Sequence, residues 1–246
     1  VPLIRRDGEL EPVTWAEALE WVAERLPAGK GGVARVTAAE GTESLHAFGD
    51  LLAHLGIEGA TFSVRRGEEA ELPGFPQLKL RAERAPNGAG ARLLGFTERD
   101  ALPEVAAGGT LAVLGDRLLD ADPDYGREAG FFLYLGSRIG PAARNATAIL
   151  PVAGPGEADG TFVNVEGRVQ RFHQAMQPPG VARPAWMVLA RLLREIDPGR
   201  AAVRDVRAAF AALASTTPEF TGLSWRGLGL KGAPLSAAAP AGSGAR

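Results

Sequence analysis

The chain contains no cysteine. Without thiols it forms no disulfide, holds no iron–sulfur cluster or zinc ion through sulfur, and offers no cysteine nucleophile. The absence of cysteine is also compatible with a reducing compartment. Redox chemistry at a thiolate-bound metal is therefore excluded for this segment.

Long apolar runs and an excess of positive charge are also missing. Stretches such as Phe131–Leu135 are far shorter than the roughly 20 residues that a membrane-spanning helix needs. No signal-peptide pattern opens the chain, which begins at Val1 in an extended segment, as a piece of a longer polypeptide would. The net charge is −2 without a long basic run, which argues against a nucleic-acid partner. Apolar residues make up 46%, enough for a sizeable core.

The first residues predict an extended segment followed by a helix. Pro2–Val13 is extended, with a turn at Asp7-Gly8. Thr14 and Glu17 form a capping-box pattern, in which both side chains would bind free N–H groups of the helix start. Apolar residues at helical spacing then predict a helix over residues 15–26.

Strands and helices alternate farther along, which indicates parallel pairing in an open α/β sheet. A strand at 32–38, a helix at 43–55 and a strand at 60–64 form the first such unit. The remaining predicted elements are strands at Thr110–Leu114, Phe131–Gly136 and Ala148–Pro151 and helices at about 185–196 and 201–213.

Proline and glycine mark two exceptions. They predict a mostly irregular connection at 66–92, which with a short helix capped at 97–100 forms a compressed segment over 66–100. From residue 226 the chain is rich in Gly, Ala, Pro and Ser, so 226–246 is predicted to be a loosely held tail after one α/β domain over 1–225.

The segment after residue 149 carries the densest set of polar groups. Glycines that allow close backbone approach alternate with Asn164, Arg168 and Gln170, which offer directional hydrogen bonds. Such a loop suits a planar heterocycle or a phosphate, or its polar groups satisfy one another and pin an irregular loop. From composition alone we favour the second interpretation.

The stretch ATAILPVAGPGEADGTFVNVEGRVQRFHQAMQPPGVARPAW, residues 146–186, resembles a motif of the molybdopterin oxidoreductase family, A-D-x-V-L-P followed by E-x-x-G-T-x-x-N-x-E-G-R-x-Q. Only Thr147 departs, where the family has aspartate. The opening PLIRRDGELEPVTWAEAL resembles the family's entry to its α/β region. RAPNGAGARLLGF at 84–96, which contains PNGAG, resembles the P-N-x-x-G stretch of the large iron–sulfur subunit, the G or 75 kDa type, of NADH:quinone oxidoreductase (complex I). The residues in register are Leu150, Pro151, Glu157, Gly160, Thr161, Asn164, Glu166, Gly167, Arg168, Gln170 and Trp186.

This resemblance implies a shortened domain of the family's α/β fold, an open, mostly parallel Rossmann-like sheet flanked by helices. Catalytic relatives ligate molybdenum from a segment between the two motifs and carry a cluster domain and a closing barrel, whereas this chain has no cysteine. The complex I subunit keeps the fold while mostly lacking the cofactor. A remnant pterin loop would comprise Glu157, Gly160, Thr161, Asn164, Glu166, Gly167, Arg168 and Gln170.

Other patterns indicate less. His46, Asp50 and His54 share a helix face that could bind a divalent metal, but we expect that face to be solvent-exposed and predict no metal site. The G-x-G-x-x-G string at 227–232 lacks the strand and helix that a dinucleotide site needs. His173 has no evident nucleophile beside it, so we expect a packing or hydrogen-bonding role.

The resemblance therefore implies a non-catalytic structural module of the complex I peripheral arm, without catalytic or metal-binding residues or a cofactor of its own. Iron–sulfur clusters would lie in preceding domains, and the partners would be neighbouring subunits at the cytoplasmic face of the cell membrane, supporting electron transfer from NADH to quinone in the respiratory chain. Two alternatives stay open: part of a molybdopterin-dependent oxidoreductase that binds the pterin, and a free-standing nucleotide-binding protein.

Overall fold

A computed structural model describes residues 1–115 and 118–236. Its largest sheet has eight strands in the order β2-β1-β10-β9-β8-β3-β4-β7, and the run from β10 to β7 is parallel throughout. This confirms the predicted open, mostly parallel sheet. The strands are β1 Leu3–Arg6, β2 Glu9–Pro12, β3 Val33–Val36, β4 Thr61–Phe62, β5 Ala70–Leu72, β6 Phe75–Leu80, β7 Thr97–Glu98, β8 Thr110–Leu114, β9 Phe131–Gly136, β10 Ala148–Pro151, β11 Gly160–Val163, β12 Arg168–Phe172 and β13 Ala233–Pro234.

The two faces of this sheet are covered differently within the described residues. Alternate side chains of β8 and β9 point to opposite faces, as strand geometry requires. Ala112 and Leu114 pack with the helices, whereas Leu111 and Val113 pack under the irregular segments that follow β7, β8 and β9. The helices are α1 Trp15–Arg25, α2 Thr42–Leu55, α3 Gly88–Leu93, α4 Ala185–Ile196 and α5 Val206–Thr216, with short 3₁₀ turns at Ala142–Asn145 and Pro218–Phe220.

The N-terminal segment follows the prediction except at one side chain. Asp7 and Gly8, both with positive φ, form the turn between β1 and β2. The Thr14 hydroxyl accepts a hydrogen bond from the Glu17 backbone N–H at 3.3 Å and so caps α1. The Glu17 carboxylate does not complete the capping box, because it accepts from the Arg6 guanidinium at 2.7 Å.

The prediction of an irregular connection at 66–92 is wrong for most of its length. Strands β5 and β6 form an antiparallel hairpin whose turn uses Gly74 at positive φ, and α3 follows. The expected short helix at 97–100 is also wrong. Thr97 instead donates its N–H to the Ala60 carbonyl and opens β7, because the sheet edge at β4 offers unpaired backbone groups.

The packed part of the chain extends beyond residue 226, where a loose tail was predicted. Helix α5 begins at Val206 rather than at 201, because Asp205 accepts from the Ala208 N–H and caps it. After residue 226, Leu228 is 2% exposed and β13 pairs with β12, so the prediction of a loose tail is wrong for 226–236, whose apolar residues find a core to join. The rest of that predicted tail, 237–246, lies outside the described residues.

Among the described residues, none of the helices has the length and apolar character required to cross a membrane.

Candidate functional site

The predicted polar loop at 157–170 is mostly a β-hairpin. Gly160–Val163 and Arg168–Phe172 pair antiparallel, and Asn164 closes the turn between them. The Asn164 side-chain carbonyl accepts from the backbone N–H groups of Glu166 and Arg168, both at 2.9 Å, while its amide donates to Gln170 at 3.2 Å. The expectation of a loop is wrong because the alternating apolar residues of this motif support strand pairing.

Other members of the motif make local or tertiary contacts. Gly167 takes the positive φ that the turn requires. Arg168 donates to the Gly232 carbonyl at 2.9 Å and so fastens the C-terminal segment to the hairpin. Glu157 accepts from the Gly154 N–H at 2.7 Å, and Glu166 lies 3.7 Å from Arg81 at the surface. Each of these polar groups thus has a partner within the protein, either a backbone group or another side chain.

Thr161 joins the hairpin to the start of α2 through a buried carboxyl group. Its N–H and its hydroxyl each donate to the Glu43 carboxylate at 2.9 Å, and Glu43 is only 1% exposed. Burial raises the pKa of Glu43 to about 7, although the Thr161 hydrogen bonds act in the opposite direction. Glu43 therefore titrates near neutral pH.

Asn87 extends this buried network to α3. Its side-chain carbonyl accepts from the Val163 N–H at 2.9 Å, and its amide donates to the Glu40 carbonyl at 2.9 Å. The Thr42 hydroxyl donates to the Thr161 carbonyl at 2.9 Å. Strand β11, helix α3 and the start of α2 are thereby held by hydrogen bonds that are shielded from solvent, since Thr42, Thr161 and Asn87 are each 0% exposed.

Ligands of open α/β sheets bind at the carboxyl edge of the strands, near the point where the strand order reverses. In the described part of that edge, two aromatic side chains lie beside the segments that follow β3 and β10. Phe172 lies over Gly160, where an added Cβ would meet the ring at 2.5 Å, and it stacks on Phe162 at 4.3 Å between centroids. The cavity left beside these rings is about 30 Å³, against roughly 300–1,000 Å³ for small-molecule sites. A pterin does not fit there unless both rings leave, and pterin binding by the motif stays a prediction.

A larger cavity lies between α2, α4 and α5. It has a volume of about 190 Å³ and is lined by alanine, leucine and valine side chains together with Glu43, His46, Asp50, Trp186 and Arg200. Asp50 pairs with Arg200 at 3.1 Å. The Trp186 indole N–H is buried without a hydrogen-bond partner in the described part of the chain. The lining of this cavity is mainly apolar.

The same cavity corrects the expectation that the His46 face of α2 is solvent-exposed. His46 is half-buried against α5, where its Nε2 lies 2.7 Å from the Thr216 hydroxyl. Burial lowers the pKa of His46, an effect that Asp50 counters and Arg200 reinforces. The described residues hold no cluster of three or more histidine, cysteine, aspartate or glutamate side chains that could bind a metal ion.

Two weaker predictions have simple structural counterparts. His173 Nδ1 lies 3.1 Å from the Asp159 carboxylate on the surface, which is the hydrogen-bonding role expected of it. The G-x-G-x-x-G string at 227–232 occupies turns before β13, and no helix follows it within the described residues. It therefore lacks the context of a dinucleotide site.

Sequence reasoning missed Glu43 and Asn87. Glu43 stands at the first turn of a correctly predicted helix, where an acidic residue normally faces solvent and favours the helix dipole. Asn87 stands in the PNGAG stretch at 86–90. The one signal that could have found them was a glycine close to the polar residue in each case, because a backbone that closes over a buried polar group needs small neighbours.

Comparison with known proteins points to the same family as the motif at 146–186. The chain matches the family described as Molybdopterin oxidoreductase over residues 1–70 and 127–195, more than half of its length. It is 30% identical over 129 residues, 50% of this chain and 19% of the relative, to the F420-dependent formate dehydrogenase 2 subunit alpha of Methanococcus maripaludis. It is 35% identical over 133 residues, 50% of this chain and 15% of the relative, to the G-type subunit of the NADH-quinone oxidoreductase of Streptomyces coelicolor.

A third relative is the mitochondrial NADH-ubiquinone oxidoreductase 78 kDa subunit of Candida albicans, 44% identical over 62 residues, which are 25% of this chain and 9% of the relative. The matches cover less than a fifth of the length of each of these three relatives. The matched family ranges hold β1 to β4, β9 to β12, α1, α2 and nearly all of α4, and they leave out residues 71–126 and 196–246. Because the family match covers most of the strands, helices and motif residues, the chain belongs to the molybdopterin oxidoreductase family.

Proposed function

We propose that this chain is a non-catalytic structural module of an NADH:quinone oxidoreductase, in which it stabilises the peripheral arm while electrons pass through clusters held elsewhere. The observation that carries the proposal is the stacked pair of Phe162 and Phe172, which covers Gly160 in the described part of the carboxyl edge. In catalytic relatives this motif would contact a pterin. Here its polar groups form hydrogen bonds with Glu43, within its own turn and with the C-terminal segment.

The chemistry of the donor set supports the same proposal. A chain without cysteine has no thiolate for molybdenum or for a cluster. Two stacked phenylalanine rings lie at the carboxyl edge, where sheets of this type usually bind ligands, and the cavity beside them is about 30 Å³. Buried networks whose members are all satisfied add rigidity and fix one arrangement of the packed elements. A scaffold requires that rigidity.

Two relatives that are named as subunits of NADH-quinone or NADH-ubiquinone oxidoreductases support the assignment to that assembly. The partners would then be neighbouring subunits of the peripheral arm, at the cytoplasmic face of the membrane. The exposed apolar side chains of the β5–β6 hairpin, Leu72, Phe75, Leu78 and Leu80, are between 40% and 62% exposed and are suited to such contacts.

The rival proposal is part of a molybdopterin-dependent oxidoreductase. The similarity to a formate dehydrogenase subunit favours it. Under this proposal Phe162 and Phe172 would have to swing out when the pterin binds. The two proposals differ in whether the purified protein contains molybdenum or tungsten and a pterin. They also differ in whether a substitution in the β11–β12 hairpin lowers the turnover of the assembled complex.

The test uses the full complex from the organism that produces this chain. Arg168→Ala removes the 2.9 Å bond to Gly232, and we expect a lower yield of assembled complex with an unchanged rate of NADH oxidation per assembled complex. Arg226→Ala, which changes an exposed arginine of the same segment, is the matched control and should leave the yield unchanged.

Metal and pterin analysis of the same preparation completes the test. Molybdenum or tungsten in stoichiometric amount, together with a pterin, would overturn the structural proposal and favour the rival. A large drop in turnover per assembled Arg168→Ala complex would also overturn it, because a scaffold residue affects assembly rather than chemistry.

A further inference from the structure

A second concave site lies at the opposite edge of the sheet from the motif. It is bounded by Arg5 of β1, by Trp21 and Arg25 near the end of α1, and by Arg127 and Arg144 of the segments before β9 and β10. Its volume is about 680 Å³, within the roughly 300–1,000 Å³ of small-molecule sites. It is unrelated to the carboxyl edge, where ligands of this sheet type usually bind.

Four arginines converge on this site, and no acidic side chain among the described residues lines it. Arg25 pairs with Glu24 at 2.8 Å, and Arg127 pairs with Asp124. Within the described ranges, Arg5 and Arg144 have no carboxylate partner. The site therefore has an excess of positive charge in a chain whose net charge is −2.

Arg5 is fixed in place by main-chain carbonyls. Its guanidinium donates to Gly8 at 2.5 Å, to Ala146 at 3.1 Å and to Arg144. Three of the five N–H groups of an arginine are thus used, which leaves two for a ligand without further ordering of the side chain. A pre-ordered arginine loses less conformational entropy when it binds an anion.

We propose that this arginine pocket binds a small phosphorylated molecule through its phosphate groups. Guanidinium forks match phosphate oxygens bidentately, and Arg144 offers a fork without a carboxylate partner among the described residues. Arg5 adds the two N–H groups that its three main-chain hydrogen bonds leave over. Trp21, already stacked with Arg25 at 4.5 Å, adds an aromatic wall. A compact anion fits better than an extended acidic peptide, which would approach the carboxylates of Glu24 and Asp124.

Isothermal titration of the purified chain with pyrophosphate at low salt should show saturable binding that weakens as salt rises. Arg144→Ser, at an exposed side chain without a polar partner among the described residues, should lower the affinity about tenfold, because one charge-assisted contact is lost. Arg204 is exposed and lies outside the site. Arg204→Ser should therefore change the affinity for pyrophosphate by less than about twofold, because exposed charges at a distance are screened.

Two further ligands identify the chemistry. Adenosine diphosphate that binds more tightly than pyrophosphate would assign a nucleotide-like ligand with its base against Trp21, whereas equal affinity would assign a bare phosphate group; both support the pocket. Tri-glutamate binding as tightly as pyrophosphate would overturn the phosphate assignment. Absence of saturable pyrophosphate binding, or equal binding by Arg144→Ser with its circular dichroism unchanged, would overturn the proposal.

Discussion

At the residue scale, Glu43 carries the clearest electrostatic consequence of the fold. An isolated carboxylate transferred into a protein interior loses its hydration, and the shift toward a pKa of about 7 reflects that loss. The folded state therefore holds a proton that the unfolded state has already released in the interval between the usual carboxyl pKa and 7. Stability from this group is fully present at low pH and is lost as the pH rises through that interval.

We expect the free energy of unfolding of the wild-type protein to fall between pH 5 and pH 8. Glu43→Gln should lack the part of this fall that comes from Glu43, because glutamine does not titrate. The raised pKa of Glu43, about 7 against 4.5, corresponds to roughly 3 kcal/mol at about 1.36 kcal/mol per unit, an upper order of magnitude. Urea unfolding at both pH values measures it. His46, whose pKa is lowered, acts in the opposite direction, but it is present in both proteins and so cancels in their difference.

Glu20→Gln, at an exposed residue of α1, is the matched control and should keep the wild-type pH dependence. The account of Glu43 is wrong if wild type and Glu43→Gln lose stability in parallel from pH 5 to pH 8.

At the element scale, the hairpin of β11 and β12 was only partly predictable from the sequence. The residues of its turn can be read directly from the chain, because Asn164 and Gly167 are turn formers whatever surrounds them. No local pattern showed that Thr161 faces a carboxylate from 118 positions earlier in the chain. A contact of that separation depends on how α2 and β11 approach, which local preferences do not encode.

Gly160 and Phe172 provide a test of how this hairpin closes the sheet edge. Gly160→Ala places a Cβ 2.5 Å from the Phe172 ring, and we expect it to lower the free energy of unfolding by about 1–3 kcal/mol through overpacking. Phe172→Leu, which shortens the side chain, should make the same Gly160→Ala change cost less. Chemical denaturation of the four proteins in this double-mutant cycle measures the coupling.

If the costs of the two changes simply add, the ring does not occupy the space above Gly160. Gly154→Ala is a useful reference within the preceding turn, because its Cβ would meet only side-chain atoms at 3.4 Å or more.

At the scale of the whole molecule, the segment after residue 226 belongs to a second core. Leu228 packs in the described part of the chain with Trp186, Phe210 and Trp225, which come from α4, α5 and the segment after it. Composition predicted a loose tail, since low-complexity segments rarely bury enough apolar surface alone. Here one leucine and one short strand find partners already assembled by α4, α5 and β12.

Two leucines two positions apart test this second core. Leu228 is 2% exposed and Leu230 is 99% exposed. We expect Leu228→Ala to lower the free energy of unfolding by about 2–4 kcal/mol, because it leaves a cavity. Leu230→Ala should change it by less than about 0.5 kcal/mol, as is usual for surface substitutions.

Thermal or urea unfolding of both variants gives the comparison directly. Equal effects of the two substitutions would mean that the segment does not join the core in solution.

The sequence alone determined the parallel α/β sheet, the bounds of most helices and the family motif, because apolar periodicity, capping residues and turn formers act over a few positions. Only the tertiary structure decided which polar side chains are buried, where aromatic rings cover the described part of the carboxyl edge, and where arginines line a common pocket. Glu43 with Thr161, Phe172 with Gly160, and Arg5 with the segment before β10 are pairs brought together by packing. Burial and proximity, rather than residue type alone, set the pKa of Glu43, the fit of Phe172 over Gly160 and the position of the Arg5 guanidinium.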